Sequence, residues 1–326
     1  MSLNDVALVT GITGQDGSYL ARLLLEKKYK VIGSVRSHNS LNRANFKYLA
    51  IDDDIIIEEL DLLDMPNIIR LIKKYRPSEI YNLAAQSSVG LSFEQPIGTF
   101  LFNTNSVNNL LEVIRLFSPD TKMYQASSSE MYGQAERMPI TIDTPMRPIS
   151  PYGISKMAAY HMVSTYRNSY NLYALNGVLF NHESFLRNND FFVKKVIRAA
   201  IQIKNKRLEL LKVGNLYVKR DFGYAPKYVE AMWKLMQLKT PEDLIICSGE
   251  SVLLRDIVEY VFDKFNLNRN LIVEDDSLFR PNEIADIYGD NKKSKKILNW
   301  EYNFSFYEIL DILIDEELRA LDIKLK

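Results

Sequence analysis

The segment that most constrains this chain runs Val6-Ala7-Leu8-Val9-Thr10-Gly11-Ile12-Thr13-Gly14-Gln15-Asp16-Gly17. A short apolar run ends in a glycine-rich turn, and leucines at helical spacing follow over 18–28. Glycines at 11, 14 and 17 permit a tight turn, close backbone approach to a pyrophosphate, and close helix–strand packing. The helix start then offers amide donors and the positive end of its dipole to an anion. Three glycines alone make a plain turn. With a strand before them and a helix behind, they read as a dinucleotide site, and Gln15 and Asp16 join Gly11, Gly14 and Gly17 as expected cofactor contacts.

The alternation continues. Segments 31–35, 55–60, 79–83, 122–126 and 172–179 read as strands, and 67–75, 103–117 and 152–170 as helices. Strands separated by helices of this length imply right-handed crossovers and a buried parallel sheet. The expected fold is α/β: a Rossmann-type doubly wound parallel sheet over residues 1–180. Beyond 180 the pattern loosens, with helices at 192–204, 227–238, 254–265 and 306–319 among short strands and polar loops. A smaller mixed α/β substrate domain is expected over 181–326, with some segments returning to the first domain.

Composition narrows the chemistry. The chain has 326 residues, 47% hydrophobic and 25% charged, which suits two globular domains and excludes disorder or coiled coil. Forty-one basic and forty-one acidic residues cancel, so nothing favours nucleic acid or an anionic membrane surface. No apolar run reaches the roughly eighteen residues of a membrane span, and no signal peptide is read, so a cytoplasmic location is expected. The lone Cys247 and the scattered His38, His161 and His182 predict no disulfide and no metal site. An organic cofactor or plain acid–base groups must do the work.

The end of the second strand chooses the cofactor, because an acid there would hold a ribose 2′-hydroxyl. The sequence is Gly33-Ser34-Val35-Arg36-Ser37, with Arg43 following. A guanidinium suits a 2′-phosphate, so Arg36 points to NADP over NAD.

Tyr152-Gly153-Ile154-Ser155-Lys156 sets a phenol and an ammonium on one helix face. A neighbouring cation favours the phenolate, which can then take a proton from a substrate hydroxyl. Among nineteen tyrosines the spacing is not rare, and Tyr260 and Lys264 repeat it. That second pair reads as a surface coincidence, whereas Tyr152 has a setting. The run 125–133, QASSSEMYG, closes a strand whose carboxyl end faces the ligand crevice, supplying the Ser128 hydroxyl and the Glu130 carboxyl.

Together these residues resemble the extended short-chain dehydrogenase/reductase superfamily and, within it, the GDP-mannose 4,6-dehydratase family. The carrying blocks are TGITGQDGSYL (10–20), YNLAAQSSVGLSF (81–93), QASSSEMYG (125–133), SPYGISK (150–156), NGVLFNHES (176–184), GNLYVKRDFG (214–223) and RPNE (280–283). The resemblance implies a catalytic set of Ser128, Glu130, Tyr152 and Lys156, and a redox-neutral dehydration of a GDP-hexose with retained NADP. It further implies cofactor contacts at Asp61, Leu62, Leu83, Ala84, Ala85 and Ser87, alongside Tyr152 and Lys156. Substrate contacts fall on Ser87, Ser128, Glu130, Asn181, Lys195, Arg220, Arg280 and Glu283. His182 reads as a structural hydrogen-bonder. The loop from Arg36 to Arg43 looks like the family segment that reaches a neighbouring subunit, so a homo-oligomer, dimer or tetramer, is implied.

The chain departs from the family pattern at several places. Serine stands at 128 for the usual threonine, Phe185-Leu186-Arg187-Asn188 for Pro-Arg-Arg-Gly, Lys194-Lys195-Val196 for Thr-Arg-Lys, and Pro226-Lys227 for Lys-Asp. Several of these line the sugar cleft by resemblance, which keeps GDP-N-acetylglucosamine and a GDP-heptose open as substrates. A GDP-4-keto-6-deoxy-sugar reductase or epimerase would share the fold, the cofactor and the Tyr/Lys pair. A non-catalytic NADP-binding regulator would share the fold and the cofactor. Glu130 argues against the reductase and epimerase, which need no C5 base, and the Tyr/Lys pair argues against the regulator.

Overall fold

The computed structural model describes residues 5–322. The first half runs β1 (Val6–Thr10), α1 (Gln15–Glu26), β2 (Lys30–Val35), α2 (Ala44–Tyr48), β3 (Ile56–Glu59), α3 (Met65–Tyr75), β4 (Glu79–Asn82), α4 (Val89–Glu94), α5 (Pro96–Phe117), β5 (Lys122–Ser128), α6 (Pro151–Tyr170) and β6 (Ala174–Leu179). The second half runs β7 (Asn181–Glu183), α7 (Phe192–Lys204), β8 (Leu211–Val213), β9 (Lys219–Arg220), β10 (Phe222–Tyr224), α8 (Ala225–Met236) and β11 (Leu244–Ile246). It ends with β12 (Val252–Leu253), α9 (Leu254–Lys264), β13 (Ile272–Glu274), α10 (Lys292–Leu298) and α11 (Phe306–Ala320).

The central sheet has seven strands in the order β3-β2-β1-β4-β5-β6-β11, and each neighbouring pair is parallel. The order reverses direction beside β1, the switch point at which doubly wound sheets open a ligand crevice. Successive strand side chains alternate between the two helical layers. Leu8, Ile32, Ile80 and Met123 pack with Ile68, Leu71, Leu110 and Val163 of α3, α5 and α6. Ala7, Val9, Val31 and Tyr81 pack on the other face with Leu20, Leu24, Met232 and Leu235 of α1 and α8.

The last sheet strand comes from far along the chain. β11 pairs with β6, and α8 packs against α1, so residues 225–246 complete the N-terminal layer. The rest of the second half forms two-stranded pairs at the open end: β7 with β10, β9 with β12, and β8 with β13.

Two starts differ from expectation for physical reasons. α1 begins at Gln15, because the turn is completed at Gly11, where φ is +67°, and extended Gly14 caps the helix. α5 begins at Pro96, not Asn103, and its first turns present Ile97, Phe100 and Leu101 to solvent, which conceals any inward stripe. No helix among the described residues is long and apolar enough to cross a membrane.

Candidate active site

The carboxyl end of β5 forms the floor of the site. β5 runs two residues beyond its expected end, and a single 3₁₀ turn, Ser129–Met131, follows. Ser128 Oγ accepts the Glu130 amide at 3.3 Å and so holds the Glu130 backbone at the sheet edge. α6 packs on that turn. Its first turn is fixed by Pro151 and by Ser150 Oγ, which accepts the Gly153 amide at 3.0 Å.

Tyr152 and Lys156 are both buried. Burial pushes the Tyr152 phenol up to about 12, and a hydrogen bond from Ser128 works against that rise; Glu130, Arg187 and Asp16 also reach the phenol electrostatically. Burial brings Lys156 down to about 8. Its ammonium donates to the Ala126 carbonyl at 2.9 Å and lies 5.8 Å from the Tyr152 ring centre. The structure thus gathers a phenol, a hydroxyl, a carboxyl and an easily discharged ammonium at one strand end.

Glu130 also reaches the other side of the cleft. Arg220, buried on β9, donates from Nη1 to the Lys219 and Ile284 carbonyls at 2.7 and 2.6 Å, and its Nη2 lies 3.6 Å from Glu283. Burial lowers this guanidinium, while Glu130 and Glu283 pull in the opposite direction. Gln134 donates to the Glu283 carbonyl at 3.2 Å, tying that loop to the segment after Glu130. Asn181 donates to the Asp221 carbonyl at 3.4 Å, and Arg280 is exposed on the same loop as Glu283. Lys195 lies in the first turn of α7. It lines a cavity of about 940 Å³ with Arg198, Lys206, Arg207 and Lys212, and no hydrogen bond or ion pair among the described residues joins it to Arg220 or Glu283.

The β1–α1 turn tests whether a dinucleotide fits. A Cβ on Gly11 would come within 3.0 Å of the Ala84 amide nitrogen, and one on Gly17 within 2.3 Å of the Gly11 carbonyl oxygen. The cradle must therefore be bare backbone, as close approach to a pyrophosphate requires. Thr10 Oγ1 accepts the Leu83 and Ala84 amides at 3.1 Å each, which sets the segment carrying Ala85 and the exposed Ser87 against the turn. Asp61 and Leu62 follow β3, and Arg36, exposed at the end of β2, lies over the Phe102 ring at 5.3 Å. Arg43 is already engaged, by Asp52 at 2.6 Å.

The side chains of Gln15 and Asp16 turn away from the cradle. Gln15 donates to the His182 carbonyl at 3.1 Å and accepts from Ser184 at 2.8 Å. Asp16 pairs with His182 Nε2 at 2.8 Å, and burial, which would raise its carboxyl, is outweighed by His182. His182 Nδ1 meets the Phe180 carbonyl at 2.7 Å. Only the amides of Gln15 and Asp16 are left for an anion. One residue that sequence reasoning left unassigned joins the site: Arg187 stacks on Phe191 at 3.7 Å, lies 3.5 Å from buried Glu183, and reaches both Tyr152 and Asp16. Its only signal was a cation in a segment where the family pattern breaks.

The family model for GDP-mannose 4,6 dehydratase matches residues 8–313. GDP-mannose 4,6 dehydratase 1 of Arabidopsis thaliana is 40% identical, over 96% of this chain and 90% of that protein. GDP-mannose 4,6 dehydratase of Homo sapiens is 37% identical, over 97% of this chain and 92% of that protein. Among solved structures, dTDP-glucose 4,6-dehydratase from Bacillus anthracis, in complex with NAD, superposes with a TM-score of 0.85 at 20% identity, over 98% of both chains. At that identity the likeness concerns the fold.

Proposed function

The chain belongs to the GDP-mannose 4,6-dehydratase family, and from that premise we propose that it dehydrates GDP-mannose at Ser128, Glu130, Tyr152 and Lys156, with NADP as its retained cofactor. The observation that supports this reading is Glu130, whose carboxyl is felt electrostatically by both the phenol of Tyr152 and the guanidinium of Arg220. A reductase or epimerase would have no use for a carboxyl there.

The amides at the start of α1 are to hold the pyrophosphate, Arg36 the 2′-phosphate, Asp61 and Leu62 the adenine. Leu83, Ala84, Ala85 and Ser87, with Lys156, are to line the nicotinamide side. When bound, the nicotinamide would supply positive charge, a hydride acceptor for C4 in its oxidised form and a hydride donor for C6 in its reduced form. Tyr152, helped by Ser128 and Lys156, takes the proton of the sugar 4-hydroxyl. The 4-ketone so formed acidifies C5–H. Glu130 accepts the C5 proton and delivers it to the departing 6-hydroxyl, which leaves as water. C5 takes back one proton as C6 gains the hydride, matching the proton given up by the 4-hydroxyl, so the product is a 4-keto-6-deoxy sugar with no net redox change. Asn181, Arg220, Arg280 and Glu283 are to hold the GDP part, two cations suiting the diphosphate and the carboxylate suiting ribose hydroxyls.

The test is incubation with GDP-mannose, GDP-N-acetylglucosamine, GDP-glucose and a UDP-sugar, read by mass spectrometry. GDP-mannose should lose one water. Loss of water from another nucleotide sugar, with GDP-mannose left intact, would overturn the choice of sugar. The proposal includes a homo-oligomer, supported by the exposed row Ile97, Phe100 and Leu101 on α5 beside exposed Ile154 on α6. Light scattering should find at least a dimer, and Leu101→Glu should shift it towards monomer.

A further inference from the structure

Asp221, between β9 and β10, is fully buried and plays no part in the chemistry above. Its carboxylate meets no cation among the described residues. Oδ1 accepts the Ser248 amide at 2.9 Å and the Ser248 hydroxyl at 2.7 Å. Oδ2 accepts the Gly249 amide at 3.1 Å and the Gly289 amide at 3.3 Å. The backbone of Asp221 is engaged as well: its amide donates to the Ile287 carbonyl at 3.0 Å, and its carbonyl accepts from Asn181 at 3.4 Å. On the neighbouring residue, Arg220 bonds the Ile284 carbonyl.

Four segments therefore meet at this residue: its carboxylate holds the 248–249 turn and Gly289 at the end of the run 284–289 that leads back to Glu283, and its backbone holds β7 through Asn181 and continues β9 from Arg220. The turn is held from its other side too, where Asn291 donates to the Cys247 and Ser248 carbonyls at 3.1 and 2.6 Å. A buried carboxylate is expensive unless fully hydrogen-bonded. Only a carboxylate of this size can accept donors on both ends; asparagine would aim its own NH₂ at two of them.

We propose that Asp221 is the positioning residue of the GDP-holding side of the cleft, its carboxylate keeping Asn181, Arg220 and the 280–283 loop in register. The inference rests on the reading of those residues as the GDP-sugar contacts. Burial pushes Asp221 up to about 6, against the pull of its four donors, so it is ionised at neutral pH and gains a proton in mild acid. A proton on either oxygen faces only donors and frees an amide. The titratable groups facing it from packed elements are Tyr228 of α8, Cys247 after β11 and Tyr302 before α11. Burial pushes all three up, so none changes charge between pH 5 and 8.

The experiment is calorimetric titration of the NADP-loaded protein with GDP. At pH 7.5, Asp221→Asn should weaken GDP by about tenfold or more, from buried amides left unsatisfied. NADP affinity should stay within about twofold, and KM for GDP-mannose should change more than kcat. Between pH 7.5 and 5.5 the parent should lose more GDP affinity than the variant, in which residue 221 no longer titrates; the comparison cancels titration of GDP itself. Equal GDP affinity in parent and folded Asp221→Asn overturns the inference. Should that variant fail to fold, Ser248→Ala removes one donor and keeps the carboxylate. It should weaken GDP about threefold, and unchanged affinity there overturns the inference equally. A parent that binds no GDP overturns the cleft reading first, and this inference with it.

Discussion

Tyr152 and Lys156 on α6, and Tyr260 and Lys264 on α9, share one spacing and one helical geometry, yet their surroundings are opposite. The first pair is buried, and its ammonium donates to a carbonyl. The second pair shares a carboxylate: Tyr260 donates to Asp311 at 2.8 Å, and Lys264 lies 2.8 Å from the same group. Burial takes Lys156 down to about 8, whereas hydrogen bonds to Asp311 and Tyr260 raise Lys264. A chemical site needs charge that the fold has desolvated and left unneutralised. Lys264 is neutralised, and it ties α9 to α11.

The comparison can be broken most directly at the phenols. Tyr152→Phe should lower turnover by on the order of 10³–10⁴-fold with NADP binding nearly intact. Tyr260→Phe in the same assay should leave turnover within about twofold. An essential Tyr260 would reverse the comparison. Glu130→Gln comes next, at on the order of 10²–10⁴-fold in dehydration. Oxidation at C4 does not need Glu130, so bound NADPH should accumulate on mixing with GDP-mannose, without deuterium entering C5 from heavy water. Parental dehydration with deuterium uptake would remove Glu130 from the mechanism.

A third cation separates exposure from idleness. Arg36 is exposed like Lys264, but it lies at the end of β2 over Phe102, with no carboxylate among the described residues in ion-pair contact. Arg36→Asp should weaken NADP by about 2–4 kcal/mol, since a charge-assisted contact is lost and a repulsion gained. Fluorescence titration of bound NADPH reads this, and parental affinity would cancel the cofactor assignment.

The contrast also bears on what the sequence could carry. The glycine turn and the sheet strands were legible because their signals are local: a bare turn, and apolar runs separated by stretches of helical spacing. The proposed catalytic quartet was legible through motif blocks, and the structure brings those four residues to one strand end. The return of 225–246 to the first layer was not placed by periodicity, because pairing between β6 and β11 is a long-range event. Gln15 and Asp16 sat in the right turn, but their side chains serve the 182–184 segment, a partner about 170 residues away that no spacing rule reaches. Lys195, expected with the GDP contacts, lines a cavity beside α7 whose walls no spacing rule assembles. Arg187 and Asp221 acquire meaning only from burial, which a string of letters does not record.

Lys156→Met sharpens the contrast thermodynamically. Lys156 titrates near 8 when folded and near 10.5 when unfolded, so the unfolded chain binds more protons in that window. By linkage, its contribution to stability is unfavourable below pH 8 and rises with pH towards 10.5. Removing the amine should raise stability at pH 7 by about 1–3 kcal/mol, less the lost hydrogen bond to Ala126, while turnover collapses. The gain should shrink between pH 8 and 10. Urea unfolding at pH 7 and pH 9 measures it. A variant destabilised by the same amount at both pH values would mean that the buried ammonium is not strained.

The smallest effect belongs to the mirror experiment, Lys264→Met. Its side chain is 42% exposed and Asp311 is 46% exposed, so the pair competes with water and is screened by salt. Its loss should cost under about 1 kcal/mol, should fade as ionic strength rises, and should leave turnover within about twofold. Tyr260 keeps its own bond to Asp311 in this variant, which limits the cost further. Urea unfolding at low and high salt reads the stability, and the dehydratase assay reads the rest. The two lysine variants should then move stability in opposite directions at pH 7. If Lys264→Met also stabilised the fold, the carboxylate would not be neutralising that ammonium, and burial alone would not be what separates the two pairs.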